Sequence, residues 1–166
     1  MIRQESKLNQ AEKGQATMTL EPIAVVRNEI KEMGKHKWEK VVSLLIFSPD
    51  LEEALDGLEK FSHIIVVFWM HLSPVKEYLA LKIHPQMRPD LPLVGVLATR
   101  SPVRPNPLGV TIVKLLERKG SLLKVVGLDA LDGTPVVDIK PYLPGDSIIN
   151  IKAPRWVYKL RQEDSE

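Results

Sequence analysis

Two arginines stand in a proline-rich segment whose residue types suit the binding of an anion. Residues 97–110 read LATRSPVRPNPLGV and place Arg100 and Arg104 among three prolines. Each proline fixes its own φ angle and biases the preceding residue toward extended backbone, so the segment is stiff. A guanidinium on a stiff base binds a carboxylate or a phosphate through two hydrogen bonds and loses little entropy. The residues alone favour an anion site and a structural connector equally.

A second segment carries opposite charges at alternate positions. Residues 135–142 read PVVDIKPY, and in an extended chain Asp138 and Lys140 lie on the same face as Val136. A carboxylate and an ammonium on one face of a strand need partners or solvent. Either they form a local ion pair, or Asp138 accepts a proton in a reaction while Lys140 binds an anion.

Three further polar residues follow apolar runs. His71 ends the run FWMH, where a polar side chain leaves the core, and Asp129 and Asp132 lie in LDALDGTP. The two carboxylates suit hydrogen bonds from a ribose or an amine. A structural role is also possible for two of the three residues, since His71 marks the end of a strand and Asp132 belongs to an Asp-Gly turn. The four histidines lack the close spacing of metal ligands and the chain has no cysteine, so we expect no metal site.

The elements that must position these residues are short strands. Apolar and β-branched runs predict strands in six segments. These segments are 20–30, 38–47, 63–71, 93–98, 109–131 and 134–144. The fifth of them predicts a hairpin that turns around Gly120, and residues 106–109 (NPLG) predict a type I turn, with proline second and glycine fourth.

A helix is predicted in only one place, residues 49–61, where Leu51, Leu55 and Leu58 recur at helical spacing. Because strands do not alternate with helices, the pattern argues against a doubly wound parallel sheet. We expect a mainly β fold, namely a small single-sheet antiparallel β-barrel that hides its own edges. One short helix and long proline-rich loops complete it.

The composition is that of one globular domain in a reducing compartment. The chain has 166 residues, 44% of them hydrophobic, no cysteine and a net charge of +2. Its longest apolar run, IIVVFWM at 64–70, is far shorter than the roughly 20 residues of a membrane span. We expect a disordered N-terminal tail at 1–18, a barrel domain at 19–160, a C-terminal tail at 161–166 and a cytoplasmic location.

Positive charge is concentrated near the proline-rich segment. Between residues 81 and 105 four cations stand against the single acid Asp90. They are Lys82, Arg88, Arg100 and Arg104. A nearly neutral chain with separated charges presents a local positive patch to an acidic partner, although an ordinary solvated face explains the same charges.

Four segments resemble the signature blocks of the TsaA-like (TrmO) family. They are EPIAVVRNEI, FSHIIVVFWMH, GVLATRSPVRPNPLGV and LDALDGTPVVDIKPYLP, in order from about residue 20 to residue 143. The resemblance implies a small β-barrel that works as a homodimer, with the cofactor S-adenosyl-L-methionine near the subunit interface. It also implies an activity, the methylation of N6 of threonylcarbamoyladenosine beside the anticodon of tRNA.

The resemblance further implies roles for individual residues. The implied cofactor-pocket residues are His71, Leu72, Arg100, Val110, Asp129, Ala130 and Leu131. The RNA-contacting residues that we expect are Arg88, Arg104, Asn106 and Lys140, and the expected catalytic residues are Asp138, Lys140 and Tyr142. In this assignment Arg100 meets the carboxylate of the cofactor, and Asp138 accepts the proton that N6 loses.

Two alternatives stay open at this point. The first alternative is a non-catalytic RNA-binding barrel. The second is a methyltransferase of the same fold that acts on another small acceptor, because a fold does not fix a substrate. The segment 31–38 (KEMGKHKW) differs from its counterpart in the family, so no cofactor contact is assigned to it. The arginine loop and the DIKPY strand, both intact, favour the tRNA methyltransferase.

Overall fold

Eight strands and one α-helix make up the part of the chain that the computed structural model describes, residues 19–74 and 80–163. The strands are β1 (Ala24–Arg27), β2 (Val42–Phe47), β3 (His63–Trp69), β4 (Lys82–Ile83), β5 (Val94–Gly95), β6 (Leu108–Lys119), β7 (Leu122–Val126) and β8 (Pro135–Pro141). The helix, α1, is Arg155–Glu163. The tail expected at 1–18 lies outside the described residues.

Six of the strands close into an antiparallel barrel in the order β1-β2-β7-β6-β3-β8. The remaining two, β4 and β5, form a separate two-stranded sheet. Pairing of β1 with β8 closes the barrel, so no barrel strand keeps a free edge. The prediction of a mainly β fold built on an antiparallel barrel is confirmed.

Alternation of side chains along the strands builds the core. In β2, Ser43, Leu45 and Phe47 are buried, whereas the residues between them are exposed. In β3, Ile64 and Val66 are likewise buried, and their neighbours are only half-buried. Inward-facing side chains from all six barrel strands therefore fill one continuous interior.

The long strand β6 pairs with two neighbours in succession. Its first half, from Leu108 to Lys114, pairs with β3, and its second half pairs with β7. A bulge between Leu115 and Glu117 changes the register between β6 and β7. The predicted hairpin is confirmed, and it turns at Gly120, whose φ of +59° lies in the left-handed region that glycine adopts readily.

A bulge opposite β3 overturns one expectation about β8. Phe68 pairs with Val136 and Val67 pairs with Asp138, so Val137 is an extra residue. Val136 is fully buried in the barrel, whereas Asp138 points outward. The expectation that these two side chains share a face is wrong, because the extra residue shifts the alternation by one position.

Residues 49–61 form three short 3-10 turns instead of the predicted α-helix. The turns are Pro49–Leu51, Glu53–Leu55 and Leu58–Lys60. Gly57 adopts a φ of +87°, which interrupts the helical path. Arg118 of β6 binds the carboxylate of Asp56 at 2.7 Å and the carbonyl of Glu52 at 3.0 Å. Attachment to the barrel, rather than the helix propensity of a short segment, determines its shape.

The α-helix of the described chain lies near its C-terminal end and is held by charged side chains. The guanidinium of Arg88 binds Asp90 at 2.7 Å and also donates to Glu163 of α1, and Lys159 binds Asp90 at 3.1 Å. Hydrogen bonds from Arg88 and Lys159 hold the pKa of Asp90 below its usual range. Because α1 runs to Glu163, it extends three residues into the segment expected as a tail. No helix in the described ranges is long and apolar enough to cross a membrane.

Candidate active site

The proline-rich loop is fixed to the end of β3. The hydroxyl of Ser73 donates to the carbonyl of Pro102 at 2.6 Å, and the amide of Met70 donates to the carbonyl of Pro107 at 2.8 Å. Pro107 itself is fully buried. The loop is therefore anchored at two points, and prolines stiffen the chain between them.

The two arginines of the loop have different surroundings. Nη1 of Arg104 donates to the carbonyl of Thr99 at 3.2 Å, so this side chain braces the loop that carries it. The side chain of Arg100 is exposed, and no carboxylate of residues 19–74 or 80–163 lies within 4.0 Å of its guanidinium. Arg100 is therefore the arginine of the loop that remains available to an anionic ligand.

The type I turn predicted for residues 106–109 is wrong. The exposed residue Asn106 accepts a hydrogen bond at its carbonyl from the amide of Leu108 at 2.7 Å, which closes a turn of three residues. The reason is the pairing with β3, which begins at Leu108 opposite Trp69 and makes Gly109 part of the strand.

The segment 127–134 meets the end of β3 at the same mouth of the barrel. Nδ1 of His71 lies 3.4 Å from the hydroxyl of Thr134, and the hydroxyl of Thr111 on β6 donates to Oδ1 of Asp129. His71 and Asp129 are both exposed. Nε2 of the histidine and Oδ2 of the aspartate have no hydrogen-bond partner in the described ranges, so both atoms are available to a ligand.

We call residues 70–73, 99–107 and 127–134, together with Val110, the rim. The rim contains the seven residues that the family resemblance implied for a cofactor pocket. Leu72 and Val110 add apolar surface to it, with 50% and 57% of their area exposed. Ala130 is buried and its carbonyl accepts a hydrogen bond from Asn28, so it holds the segment in place.

Asp132 stabilises the conformation of the rim. Its carboxylate accepts the amide of Asn28 at 3.1 Å and lies 3.6 Å from the guanidinium of Arg27. Gly133 follows with a φ of +78°, and the amide of Thr134 donates to the carbonyl of Leu131. The turn predicted from the Asp-Gly pair is confirmed, and it accounts for this carboxylate.

The candidates for proton transfer lie on the outer wall of the barrel. Residues paired across β8, β3 and β6 form two rows. The first row consists of Asp138, Val67 and Val110. The second row consists of Lys140, Ile65 and Ile112. We call these six residues the outer patch. Nζ of Lys140 lies 2.7 Å from Oδ2 of Asp138, so the local ion pair is present. Since neighbouring strands are about 4.8 Å apart, Asp138 and Val110 are separated by roughly 10 Å along the wall.

Two other predicted residues lie away from the rim within one chain. The amide of Tyr142 donates to the carbonyl of His63 at the start of β3, whereas His71 follows the end of that strand. Eight residues at roughly 3.3 Å each separate these ends, a distance of up to about 26 Å. The guanidinium of Arg88 is bound by two carboxylates near α1. The structure therefore does not bring either residue to the rim.

Inspection of the sequence missed the side chains that orient the rim. Thr111 and Thr134 bind Asp129 and His71, and Asn28 binds the segment between them. A threonine within a β-branched run looks like any strand residue, and an asparagine after a strand looks like a turn residue. Their partners lie far away in the sequence, so only the closed barrel reveals them.

The rim combines groups that suit a ligand with apolar and ionic parts. Within residues 19–74 and 80–163, Arg100 offers a guanidinium without an ion-pair partner and Asp129 a carboxylate oxygen without a hydrogen-bond partner, and Leu72 and Val110 add exposed apolar area. Such a mixture is typical of small-molecule sites. Among residues 19–74 and 80–163, no group of three or more histidines, cysteines or acids could hold a metal ion. Fold and site together define a small antiparallel β-barrel whose rim, at one mouth, presents groups of the kinds that small-molecule sites use.

Comparison with known proteins identifies the family of this barrel. Residues 29–146 match the family model described as the tRNA-methyltransferase O N-terminal domain. This range covers more than half of the chain, which therefore belongs to that family. A crystal structure of TrmO from Pseudomonas aeruginosa superposes on the chain with a TM-score of 0.67 and 30% sequence identity. The superposition covers 86% of this chain and 62% of that chain.

Relatives of different lengths share this barrel. A probable S-adenosyl-L-methionine-binding protein of Methanothermobacter thermautotrophicus is 43% identical over 127 residues, which cover 74% of this chain and 88% of that protein. A protein of the same name from Archaeoglobus fulgidus is 43% identical over 139 residues, or 80% of this chain and 36% of the relative. The mouse tRNA (adenine(37)-N6)-methyltransferase is 42% identical over 113 residues, which cover 68% of this chain and 26% of the mouse protein. The chain thus spans only about a third of the Archaeoglobus protein and a quarter of the mouse protein.

Proposed function

We propose that this chain is an S-adenosyl-L-methionine-dependent methyltransferase that methylates N6 of threonylcarbamoyladenosine beside the anticodon of tRNA, in the cytoplasm. Family membership supports the proposal, as do relatives named as S-adenosyl-L-methionine-binding proteins and as a tRNA (adenine(37)-N6)-methyltransferase. The structural observation that carries it is the rim, where polar and apolar groups from four separate parts of the sequence lie at one mouth of the barrel.

The groups of the rim fit this cofactor by their chemistry. The exposed guanidinium of Arg100 would bind the carboxylate of the amino-acid part. The free oxygen of Asp129 would accept a hydrogen bond from a ribose hydroxyl or from the amino group. Leu72 and Val110 would pack against the adenine ring. When bound, the cofactor supplies a methyl group on a positively charged sulfur.

Alignment is the main contribution of the protein to this reaction. A displacement requires the attacking nitrogen, the methyl carbon and the leaving sulfur in line, so rigid positioning of both partners lowers the barrier. The loop 99–107 meets this requirement because prolines and two anchoring hydrogen bonds remove its freedom before binding.

Proton removal is assigned to the outer patch. N6 of threonylcarbamoyladenosine is amide-like and a weak nucleophile while it keeps its proton. Asp138 accepts that proton on a carboxylate oxygen, which leaves the nitrogen electron pair free for the new bond to carbon. Lys140 steadies the carboxylate from 2.7 Å. Tyr142 follows the end of β8, two residues after Lys140, and we assign it a supporting role toward the RNA substrate.

The proposed RNA contacts come from the rim and from the outer patch. Arg104 and Asn106 stand on the stiff loop, and Lys140 has 64% of its side chain exposed on the outer patch. Guanidinium and ammonium groups bind phosphates, and a base of the anticodon loop can leave its stack and enter a pocket. Arg88 joins these contacts only after release from its two carboxylates.

The proposed homodimer forms through the apolar side chains of the outer patch, and Asp138 and Lys140 on β8 stay open to the RNA at the edge of the interface. Val110 and Ile112 are 57% and 52% exposed, and Ile65 and Val67 beside them are half-buried, so four apolar side chains form one surface. Burial of such a surface against a second copy is favourable. Because Val110 belongs to the rim as well, each cofactor site borders this interface.

A methylation assay tests the proposed function. The protein is incubated with S-adenosyl-L-methionine and tRNA that carries unmethylated threonylcarbamoyladenosine, and the digested nucleosides are analysed by mass spectrometry. We expect the gain of one methyl group on that nucleoside. Cofactor binding without methylation of this tRNA would indicate another acceptor. Absence of binding at millimolar cofactor, measured by calorimetry, would instead leave only a non-catalytic barrel.

A further inference from the structure

We propose that Asn28 is a positioning residue, which sets the affinity of the rim for the cofactor without touching it. Asn28 directly follows β1, and its side chain reaches the segment 127–134. The inference rests on the proposed function, because it concerns the cofactor site described there. It adds a residue that the resemblance did not assign and that inspection of the sequence did not single out.

Every polar atom of the Asn28 side chain is engaged. Nδ2 donates to the hydroxyl of Ser43 and to the carbonyl of Ala130, both at 2.9 Å, and Oδ1 accepts the amide of Ile30 at 2.9 Å. The backbone amide of Asn28 donates to the carboxylate of Asp132 at 3.1 Å. One residue thus holds the segment at two positions, on either side of Leu131.

These bonds connect the segment to the rigid wall of the barrel. Ser43 lies on β2 and has no exposed area, so the far end of the Asn28 side chain is fixed to the core. The backbone supports the same path. The amide of Asp132 donates to the carbonyl of Ile30 at 2.7 Å, and the amide of Gly133 donates to the carbonyl of Val26 at 2.9 Å. The position of Asn28 is therefore determined by the barrel, and Asn28 in turn determines that of the segment.

The hydrogen bond to the carbonyl of Ala130 also fixes the orientation of the backbone amide of Leu131. A peptide unit is planar and trans, so the amide of Leu131 points away from the carbonyl that Asn28 holds. This amide has no hydrogen-bond partner in the described ranges and is available to a ligand. Asp129 lies one residue before Ala130 and two residues before Leu131, and the side chains of its neighbours Leu128 and Ala130 are buried. Asn28 thus aligns an amide and a carboxylate that flank the same position.

A matched pair of variants tests the proposal. Asn28→Ala removes the bond to Ala130, whereas Ser43→Ala removes a buried hydroxyl from the same network and keeps that bond. Both proteins are compared with the unaltered chain by calorimetry with S-adenosyl-L-methionine, at a temperature where all three are folded. Amide hydrogen exchange over 129–133 is measured without cofactor. Asn28→Asp is the second variant if Asn28→Ala does not fold, since it keeps the size of the side chain and loses the donor.

We expect Asn28→Ala to weaken cofactor binding by roughly tenfold, since a hydrogen bond that orders a site typically has this effect, and to speed exchange over 129–133. Ser43→Ala should lower the melting temperature and weaken binding by clearly less than Asn28→Ala, because the bond from Asn28 to Ala130 remains. Equal weakening of binding in both variants would overturn the positioning role and make Asn28 a structural residue only. Failure of the unaltered protein to bind the cofactor is a different result, because it refutes the proposed function itself.

Discussion

Gly109 lies directly against the ring of Phe68, so that a Cβ on Gly109 would overlap with Cζ of that ring. The two residues are paired across β6 and β3, and Phe68 is buried in the core. Glycine is required here by space and not by a left-handed backbone. The contact lets β6 begin immediately after the stiff loop, at the point where the loop is attached to β3.

This contact predicts a large loss of stability in Gly109→Ala. The added methyl group forces the Phe68 ring or a strand to move, which costs about 1–3 kcal/mol or more in the free energy of unfolding. Urea unfolding measures the loss. Gly95→Ala is the matched control, because nothing lies within 4 Å of its Cβ position, and it should change the free energy by less than about 0.5 kcal/mol. Equal stability of the two variants would contradict the close contact.

The two arginines of the loop should affect different ligands. Arg100→Ala removes the exposed guanidinium of the rim and should weaken cofactor binding by about tenfold or more, since charge-assisted hydrogen bonds are worth roughly 1.5–3 kcal/mol. Arg104→Ala should instead raise the KM for tRNA. Calorimetry with the cofactor and steady-state kinetics with tRNA separate the two effects. The division of roles is wrong if both variants lose affinity for the same ligand.

Replacement of the proposed proton acceptor should slow the chemical step. Asp138→Asn keeps the size of the side chain and removes its basicity, so we expect the single-turnover rate to fall by about 100-fold or more, with little change in cofactor affinity. Glu117→Gln on the exposed part of β6 is the control and should leave the rate unchanged. A normal rate in Asp138→Asn would assign proton removal to another group or to solvent.

A charge in the outer patch should disrupt the proposed dimer. Ile112→Arg places a guanidinium among the four apolar side chains of the outer patch, where burial without a partner is unfavourable. We expect a shift from dimer to monomer in analytical ultracentrifugation, together with weaker cofactor binding. Leu97→Arg, at an apolar side chain with 71% exposure outside the patch, should keep the dimer. Monomers in the unaltered protein would refute the pairing.

The contact between α1 and the loop 84–92 should depend on pH. Hydrogen bonds from Arg88 lower the pKa of Asp90 and of Glu163. A carboxylate with a lowered pKa stabilises the folded form above its unfolded-state pKa, near 4, and this contribution is lost as the pH falls through the folded-state value. The indole NMR signal of Trp156 in α1 should therefore shift below about pH 4, and salt should weaken the contact.

Arg88→Ala should give the low-pH signal of Trp156 already at neutral pH. Arg155→Ala is the control, because this exposed arginine of α1 has no ion-pair partner in the described ranges. A signal that does not change with pH in the unaltered protein would show that packing, and not the ion pairs, holds the helix.

Local patterns were sufficient for the six barrel strands and for two turns, whereas the strand predicted at 93–98 exists only at Val94–Gly95 and its partner β4 was not predicted. Alternating apolar residues predicted β2 and β3, and Gly120 predicted the hairpin between β6 and β7. They were insufficient where distant contacts compete with local preference. The segment 49–61 has helical spacing, but Arg118 from β6 and the left-handed Gly57 divide it into 3-10 turns. One extra residue in β8 reversed the expected face of Val136, and no composition signal marks such a bulge.

The sequence by itself determined the β-barrel class, the stiff loop with its two arginines and the charged pair on β8, because each depends on residues that are close in the chain. Only the tertiary structure decided which of these groups meet. It left Arg100 exposed and bound Arg104 to its own loop, placed Asp138 on the outer wall, and joined Asn28 to Ala130 across the barrel mouth. The physical reason is that barrel closure brings together backbone and side-chain groups separated by a hundred residues or so, and their hydrogen bonds leave no trace in local composition.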